Sequence, residues 1–454
     1  PEGRKLAISA RRMSDQLRFI AGLQYAFHAD MKKHLRETLG CKQLFTTSNF
    51  HAMDKTMEDL ENWTKTAGDI VCANTYVGGM HKGSNTGWRV DPGDIFDSVS
   101  CTREPLRLPM LKKQVGNRPY WVTETLWVNP HEYQNEAALL TAIYNGVSDV
   151  NAVFFAGPRD VTWAGNMYYA FTPDDGHGKA MMKWNCSEPG HMGSFAAAAL
   201  IHRLGYAATP DPVVVERRTF DDMVGMKPSM IAEGGEYDPN RYAGGAMKGA
   251  EGGTVPQEAF LTGPVLVDFD PASQTKVAPV ARAAATNRPV VSANGIVAAD
   301  PAKGLVTLDS PRAQAAIGFL KSAGTVKLSS CTIVCDAGHA GIALVTLDGK
   351  PLKTADRILV QIAPRARPTG WKIEPIGDAA AGAGGEEWKI VNTGRLPFRV
   401  ERLSGKITLS SAVIAKAEKL NENGEPSGPV PLRKKDGTVS LDLPGDALYV
   451  LLSK

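Results

Sequence analysis

Two kinds of hydrophobic spacing divide this 454-residue chain, and the change between them constrains the fold more than any single motif does. From Ser14 to Leu204, apolar runs of strand length alternate with stretches at helical spacing. From about residue 259 onward only short β-type runs remain, separated by Gly, Asn, Asp and Pro. The first pattern predicts parallel strands joined by crossover helices. The second predicts one antiparallel β-sandwich or a pair of them.

In the first part, Leu17, Ile20, Ala21, Phe27, Met31 and Leu35 lie on one helical face, and Gly40 closes that helix in the manner of a C-cap. Further helices are expected at 54–66, 110–115, 132–146 and 193–204. The intervening strands are 42–50 (KQLFTTSNF), 69–77 (DIVCANTYV), 119–127 (PYWVTETLW) and 151–157 (NAVFFAG). The middle, 206–285, opens on a strand-like PVVVERRTF and becomes Gly- and Met-rich from Met223 to Gly253, which reads as a long connecting loop. The expected organisation is an α/β catalytic part at 1–205, a Gly/Met-rich connecting region with the first β strands at 206–285, and β-sandwich modules at 286–454. The dipeptides Asp348-Gly349 and Asp436-Gly437 are hairpin-turn signals.

Composition narrows the function. A hydrophobic content of 43% with 22% charged residues suits a globular protein with sizeable cores, and a net charge of +3 without a Lys/Arg run argues against a nucleic-acid partner. No stretch approaches the roughly 18 to 20 uninterrupted apolar residues of a membrane span. The start, PEGRKLAISARRMSDQLRF, lacks a signal-peptide core, so a secreted or periplasmic location would need a targeting segment that is not part of this sequence. Six cysteines occur without a zinc-like pairing; Cys331 and Cys335 fall on one strand face, too far apart for a mutual disulfide, and buried free thiols are expected. Asp174, Asp175 and His177 read as a polar loop, and no metal or cofactor is expected. No phosphate-binding Gly-rich loop, GxSxG elbow or HExxH sequence occurs.

The run Tyr120 to Trp127, YWVTETLW, holds one carboxylate, Glu124, among aromatic residues. Strict alternation puts Tyr120, Val122, Glu124 and Leu126 on one face, and Trp121, Thr123, Thr125 and Trp127 on the other. Glu124 therefore stands at a strand end, from which a carboxylate can project into a site mouth.

An acid at the end of a late strand, followed by one more strand and then β-sandwich modules, resembles the clan A retaining glycoside hydrolases. The resemblance covers about residues 14–205. It implies the second half of a (β/α)8 barrel, with the strands at 42–50, 69–77, 119–127 and 151–157 as strands five to eight. It further implies Glu124 as nucleophile, Tyr76 as the aromatic hydroxyl that orients it, and Trp163 as a sugar platform. Asn49 and His51 at the end of strand five, His81 and Trp88 in the loop after strand six, and Trp127 complete the expected sugar-contacting set. The family's second carboxyl, a Glu after an Asn at the end of strand four, has no counterpart: Asn135-Glu136 opens a helix and Asn421-Glu422 lies in a C-terminal turn. The resemblance thus implies cleavage of β-glycosidic bonds in a polysaccharide or oligosaccharide by double displacement. The acid/base would come from a companion chain, an N-terminal fragment or a second copy that completes the barrel. The alternative is a carbohydrate-binding or structural protein without turnover.

Overall fold

The structure is a computed structural model that describes residues 9–50, 57–78, 81–85, 87–157, 166–233, 253–280, 288–376 and 387–454. At its centre, strand Tyr120–Thr125 is paired in parallel on both edges, with Val71–Asn74 on one side and Ala152–Phe155 on the other. The first pairing resumes further along, where Val77–Gly78 runs parallel to Trp127–Val128. Tyr120, Val122, Val71 and Ala73 face a core with Leu139, Leu140, Ile143 and Val147 of helix Ala137–Ser148. The opposite face is covered at Cys72, whose Sγ lies 2.9 Å from Thr46 Oγ1, and exposed further along, where Phe154 is 49% exposed and its ring lies 5.7 Å from that of half-buried Trp121.

The half-barrel expectation is overturned. Three strands form this parallel sheet, the segment 42–50 adds a single bridge, Thr46 to Ile70, and no closed barrel exists among the described residues. The other large sheets are antiparallel, and strands far outnumber helices. The segment 42–50 is rich in Thr, Ser and Asn, side chains that compete for backbone hydrogen bonds, which suits its irregular course. Residues 110–115 are not a helix: Gln114–Val115 is a strand pairing with Leu266 and Val267. A six-residue apolar window does not separate helix from strand, and here a partner some 150 residues away decides. That partner belongs to the middle region, where Val214–Arg217, Val265–Asp268 and Lys276–Val277 join Gln114–Val115 in a four-stranded mixed sheet. The segment 206–285 carries strands Val214–Arg217 and Val265–Asp268 on its strand-like runs PVVVERRTF and GPVLVDF. Residues 234–252, most of its Gly- and Met-rich stretch, lie outside the described residues.

The C-terminal part is built of antiparallel strands, as its period implied. A nine-stranded sheet and a five-stranded sheet enclose a second core, in which Ile342, Leu344, Val360 and Ile362 meet Ile333, Ile407, Leu409 and Leu441. Asp436 and Gly437, at φ 47° and 72°, make the two-residue turn between Arg433–Lys435 and Thr438–Asp442. Asp348-Gly349 sits instead in a longer connection between Ala340–Thr346 and Arg357–Pro364. All six cysteines are free, and Cys331 and Cys335 are buried on the same face of one strand.

Two buried polar assemblies join these parts. Glu136 accepts hydrogen bonds from Ser100 Oγ (2.6 Å), the Cys101 amide (2.7 Å) and Trp127 Nε1 (3.0 Å), and pairs with His339 Nε2 (3.1 Å) from the sandwich. Burial alone would raise its pKa, but the bond and charge of His339, with His131 and Ser100, hold it below the ordinary carboxylate value. In the second assembly, Lys113 Nζ reaches Asp59 (2.9 Å), Glu216 (2.7 Å) and Ser229 Oγ (2.6 Å), while Lys112 Nζ meets Glu233 at 2.8 Å. Desolvation opposes the charge on Lys113, yet Asp59 and Glu216 outweigh it and raise its pKa.

Removing one member of such a cluster strands its partners in a low dielectric. Lys113→Met leaves Asp59 and Glu216 with Arg218 alone of the two buried cations they share, and should cost about 3–5 kcal/mol in urea denaturation. A loss below about 1 kcal/mol would show that the cluster contributes nothing net to the fold.

Candidate active site

The central strand carries one residue more than either neighbour. Ala73 pairs with Val122 but Asn74 pairs with Glu124, and on the other edge the register jumps between Val122 and Thr125. This β-bulge at Thr123–Glu124 inverts the alternation of faces. Tyr120 and Val122 face the core of helix Ala137–Ser148, and beyond the bulge it is Trp127 that joins them there, while Leu126 and Val128 pack on the other side with Tyr76. Glu124 moves to the half-exposed face that Trp121 shares. An uninterrupted strand would have turned its carboxylate into the apolar core beside Tyr120 and Val122. Thr123 Oγ1 holds the bulge by donating to Asn74 Oδ1 at 2.8 Å.

Tyr76 is set against Glu124 by the backbone on both sides. The Thr75 amide donates to the Glu124 carbonyl (2.9 Å) and the Val77 amide to the Leu126 carbonyl (3.0 Å). With its neighbours pinned, the buried phenol donates a short hydrogen bond to Glu124 Oε2. Asn49 reaches the same end of the sheet, its carbonyl accepting the Asn74 amide at 2.8 Å. Asn49, Asn74 and Glu124 thus succeed one another across the strand ends.

An aromatic wall, part of which was not anticipated, continues from Tyr76. Its ring meets Trp184 edge-on at 6.1 Å, and Trp184 lies 4.9 Å from Trp88, which is 74% exposed. Trp184 follows strand Met181–Met182, whose antiparallel pairing with Arg89–Val90 brings the two indoles together. The run Met181-Met182-Lys183-Trp184, apolar but for its lysine, was the available sign of a strand leading to it. Behind this wall, Leu126, Val128, Cys186 and Phe155 pack with Tyr76.

Two residues of the expected sugar-contacting set serve the fold instead. Trp127 is fully buried and its indole N–H is spent on Glu136. The bulge explains this, because it turns Trp127 to the side opposite the one strict alternation assigns. His81 is also buried, its Nε2 lying 3.0 Å from the Arg89 carbonyl and 3.2 Å from Asp94 Oδ2. His51 and Trp163 fall outside the described residues. Among the described residues no group of His, Cys, Asp and Glu is arranged to hold a metal ion, and no helix is long and apolar enough to cross a membrane.

The assembled features are a bulge-projected carboxylate, a phenol donor on one of its oxygens and an aromatic wall leading outward. Comparison with family models, curated proteins and solved structures finds no match for this chain.

Three buried titratable groups flank the site. The Tyr133 amide donates to His131 Nδ1 (3.1 Å), which leaves Nε2 to carry the proton toward the Val99 carbonyl (3.2 Å). This is a neutral imidazole, and burial lowers its pKa to about 4. The close fit also explains Gly78, at φ +69°, where a Cβ would stand 2.7 Å from the His131 ring. Burial likewise lowers His191, edge-on to Phe155 at 4.5 Å, to about 4. Glu188 caps the short helix Pro189–Gly193, accepting the His191 amide at 2.8 Å, and burial raises its pKa to about 7.

These shifts oppose one another. Between about pH 4.5 and 6.5 the two histidines bind protons only when unfolded, whereas Glu188 binds one only when folded. The unfolded state then holds one proton more in total, so stability rises with pH, by up to about 1.4 kcal/mol per unit. Glu188→Gln removes the opposing group and should steepen that rise toward two protons. Urea midpoints measured across this window check it; an unchanged or shallower slope in the variant would contradict the assignment.

Proposed function

We propose that the chain carries the nucleophile of a retaining glycoside hydrolase acting on β-linked polysaccharide or oligosaccharide. The observation that supports this reading is the pairing of Glu124 with Tyr76 at the open end of a parallel sheet. In the first step a Glu124 oxygen forms a bond to the anomeric carbon, the glycosidic C–O bond breaks, and an acid protonates the leaving oxygen. In the second, water gives its proton to that same group, now a base, and its oxygen displaces Glu124. Tyr76 holds the attacking carboxylate in line and accepts no part of the bond-making. No cofactor is needed.

This scheme requires a second carboxyl roughly 5 to 5.5 Å from the first. We assign it to a further polypeptide segment, a companion chain or a second copy. The outer edge of Ala152–Phe155 has no partner strand among the described residues, and an open edge of this kind accepts an added strand. A polymeric sugar substrate would place the protein outside the cytoplasm, secreted or periplasmic.

A leaving group as acidic as dinitrophenolate departs without protonation, so dinitrophenyl β-glycosides test the nucleophile separately from the missing acid. Turnover of these substrates should fall by about three orders of magnitude or more in Glu124→Gln and by about ten- to a hundredfold in Tyr76→Phe. Near-normal rates in Glu124→Gln would remove that residue from the mechanism. Sugar binding without turnover in the unaltered chain would favour the carbohydrate-binding alternative, which the same aromatic wall could serve.

A further inference from the structure

Trp88 is an anomaly on this surface. An indole 74% exposed is a large apolar area to leave in water, and here its backbone is anchored and its ring packs against Trp184. Its carbonyl accepts the Lys183 amide (3.2 Å) and the Tyr169 hydroxyl (3.1 Å), and the strand that follows it pairs with Met181–Met182. That ladder is in turn fixed to the end of the central strand pair, because the Asn129 amide and side chain donate to the carbonyls of Lys183 and Met182, each at 3.0 Å. The position of Trp88 relative to Glu124 is thus set by a continuous hydrogen-bonded path.

Trp184 fills the gap between Tyr76 and Trp88 without being a platform itself. It is half-buried, with Tyr76 edge-on at 6.1 Å, Trp88 tilted against it at 4.9 Å and Lys183 Nζ 5.7 Å from its ring. With those neighbours it buttresses Trp88. The free indole surface at the end of the row belongs to Trp88.

Resting on the glycosidase reading above, we infer that Trp88 is the stacking platform for a sugar unit beyond the one attacked by Glu124, and that the ligand is a β-linked oligosaccharide rather than a single sugar. Two ring-to-ring steps separate Trp88 from the Tyr76–Glu124 pair. A single pyranose, comparable in width to a tyrosine ring, covers one of these steps of 4.9 and 6.1 Å, whereas a chain lying along the wall covers both. The apolar CH face of a pyranose is a natural complement to an exposed indole, and a ring already immobilised adds affinity at little entropic cost. Trp184 then acts as a positioning residue for Trp88.

Calorimetric titration tests this without requiring turnover. The probes are β-linked gluco-, manno- and xylo-oligosaccharides of one to four units, titrated into the unaltered chain, Trp88→Ala and Trp88→Phe, with circular dichroism as a check on folding. Trp88→Ala should weaken the best-bound tri- or tetrasaccharide by about tenfold, the deficit growing with chain length, and Trp88→Phe should recover most of it. A deficit equal at every length, or none, overturns the platform. The two readings fail separately: length-dependent binding with no dinitrophenyl glycoside turnover leaves the platform standing and removes the hydrolase. Turnover that needs Glu124, with oligosaccharide binding indifferent to Trp88, does the reverse.

Discussion

One extra residue in strand Tyr120–Thr125 determines what this molecule can present at its surface. The strand is paired on both edges and packed on one face against helix Ala137–Ser148, so it has little freedom to tilt. Within such a strand, the way to bring a carboxylate out of an apolar face is to change the phase of the alternation. The bulge does this, and it also turns Trp127 inward, where its indole N–H completes the bonding of Glu136. Glu136 in turn ties the sandwich, through His339, to the end of the same strand. The exposure of Glu124 and the attachment of the C-terminal part are therefore two results of a single insertion.

Much of this was legible in the sequence, and the errors share a cause. The antiparallel character of the C-terminal part followed from its period, Glu124 stood out as the one carboxylate within an aromatic, apolar run, and Tyr76 was named by the family resemblance. The bulge was not legible, because counting by twos assumes an uninterrupted ladder; that assumption put Trp127 outside and would have put Glu124 inside. The barrel expectation failed for a related reason. An alternation of helices and strands fixes local structure and the sense of crossover, but closure depends on pairings far apart in sequence, and Gln114–Val115 pairs with Leu266 and Val267 instead of lying in a helix. Trp184 was missed because its neighbours, Tyr76 and Trp88, are about a hundred residues away.

The polar interior divides into groups that hold the fold and groups that frame the site. Lys113 with Asp59 and Glu216 binds the middle sheet to helix Glu58–Lys65, and its charges are compensated within hydrogen-bond distance. His131, His191 and Glu188 are kept neutral at mildly acidic pH by burial, so the wall behind Tyr76 carries little charge there. Tyr76 supplies Glu124 with a phenol donor, and Lys183 Nζ lies beside the Trp184 ring further along the wall. A carboxylate oriented by a phenol donor is what the proposed attack on an anomeric carbon would use.

The central claim is that Glu124 forms a bond to sugar, and covalent trapping reads this directly. A panel of 2-deoxy-2-fluoro-β-glycosyl fluorides carries a leaving group that needs no acid catalyst, and the electronegative fluorine at carbon two slows the second displacement, so the glycosyl-enzyme accumulates. Peptide mapping by mass spectrometry after incubation should place one glycosyl group on the peptide containing Glu124, and none in Glu124→Gln. A label on another carboxylate, or continued turnover of dinitrophenyl glycosides with Glu124 unmodified, would contradict the account.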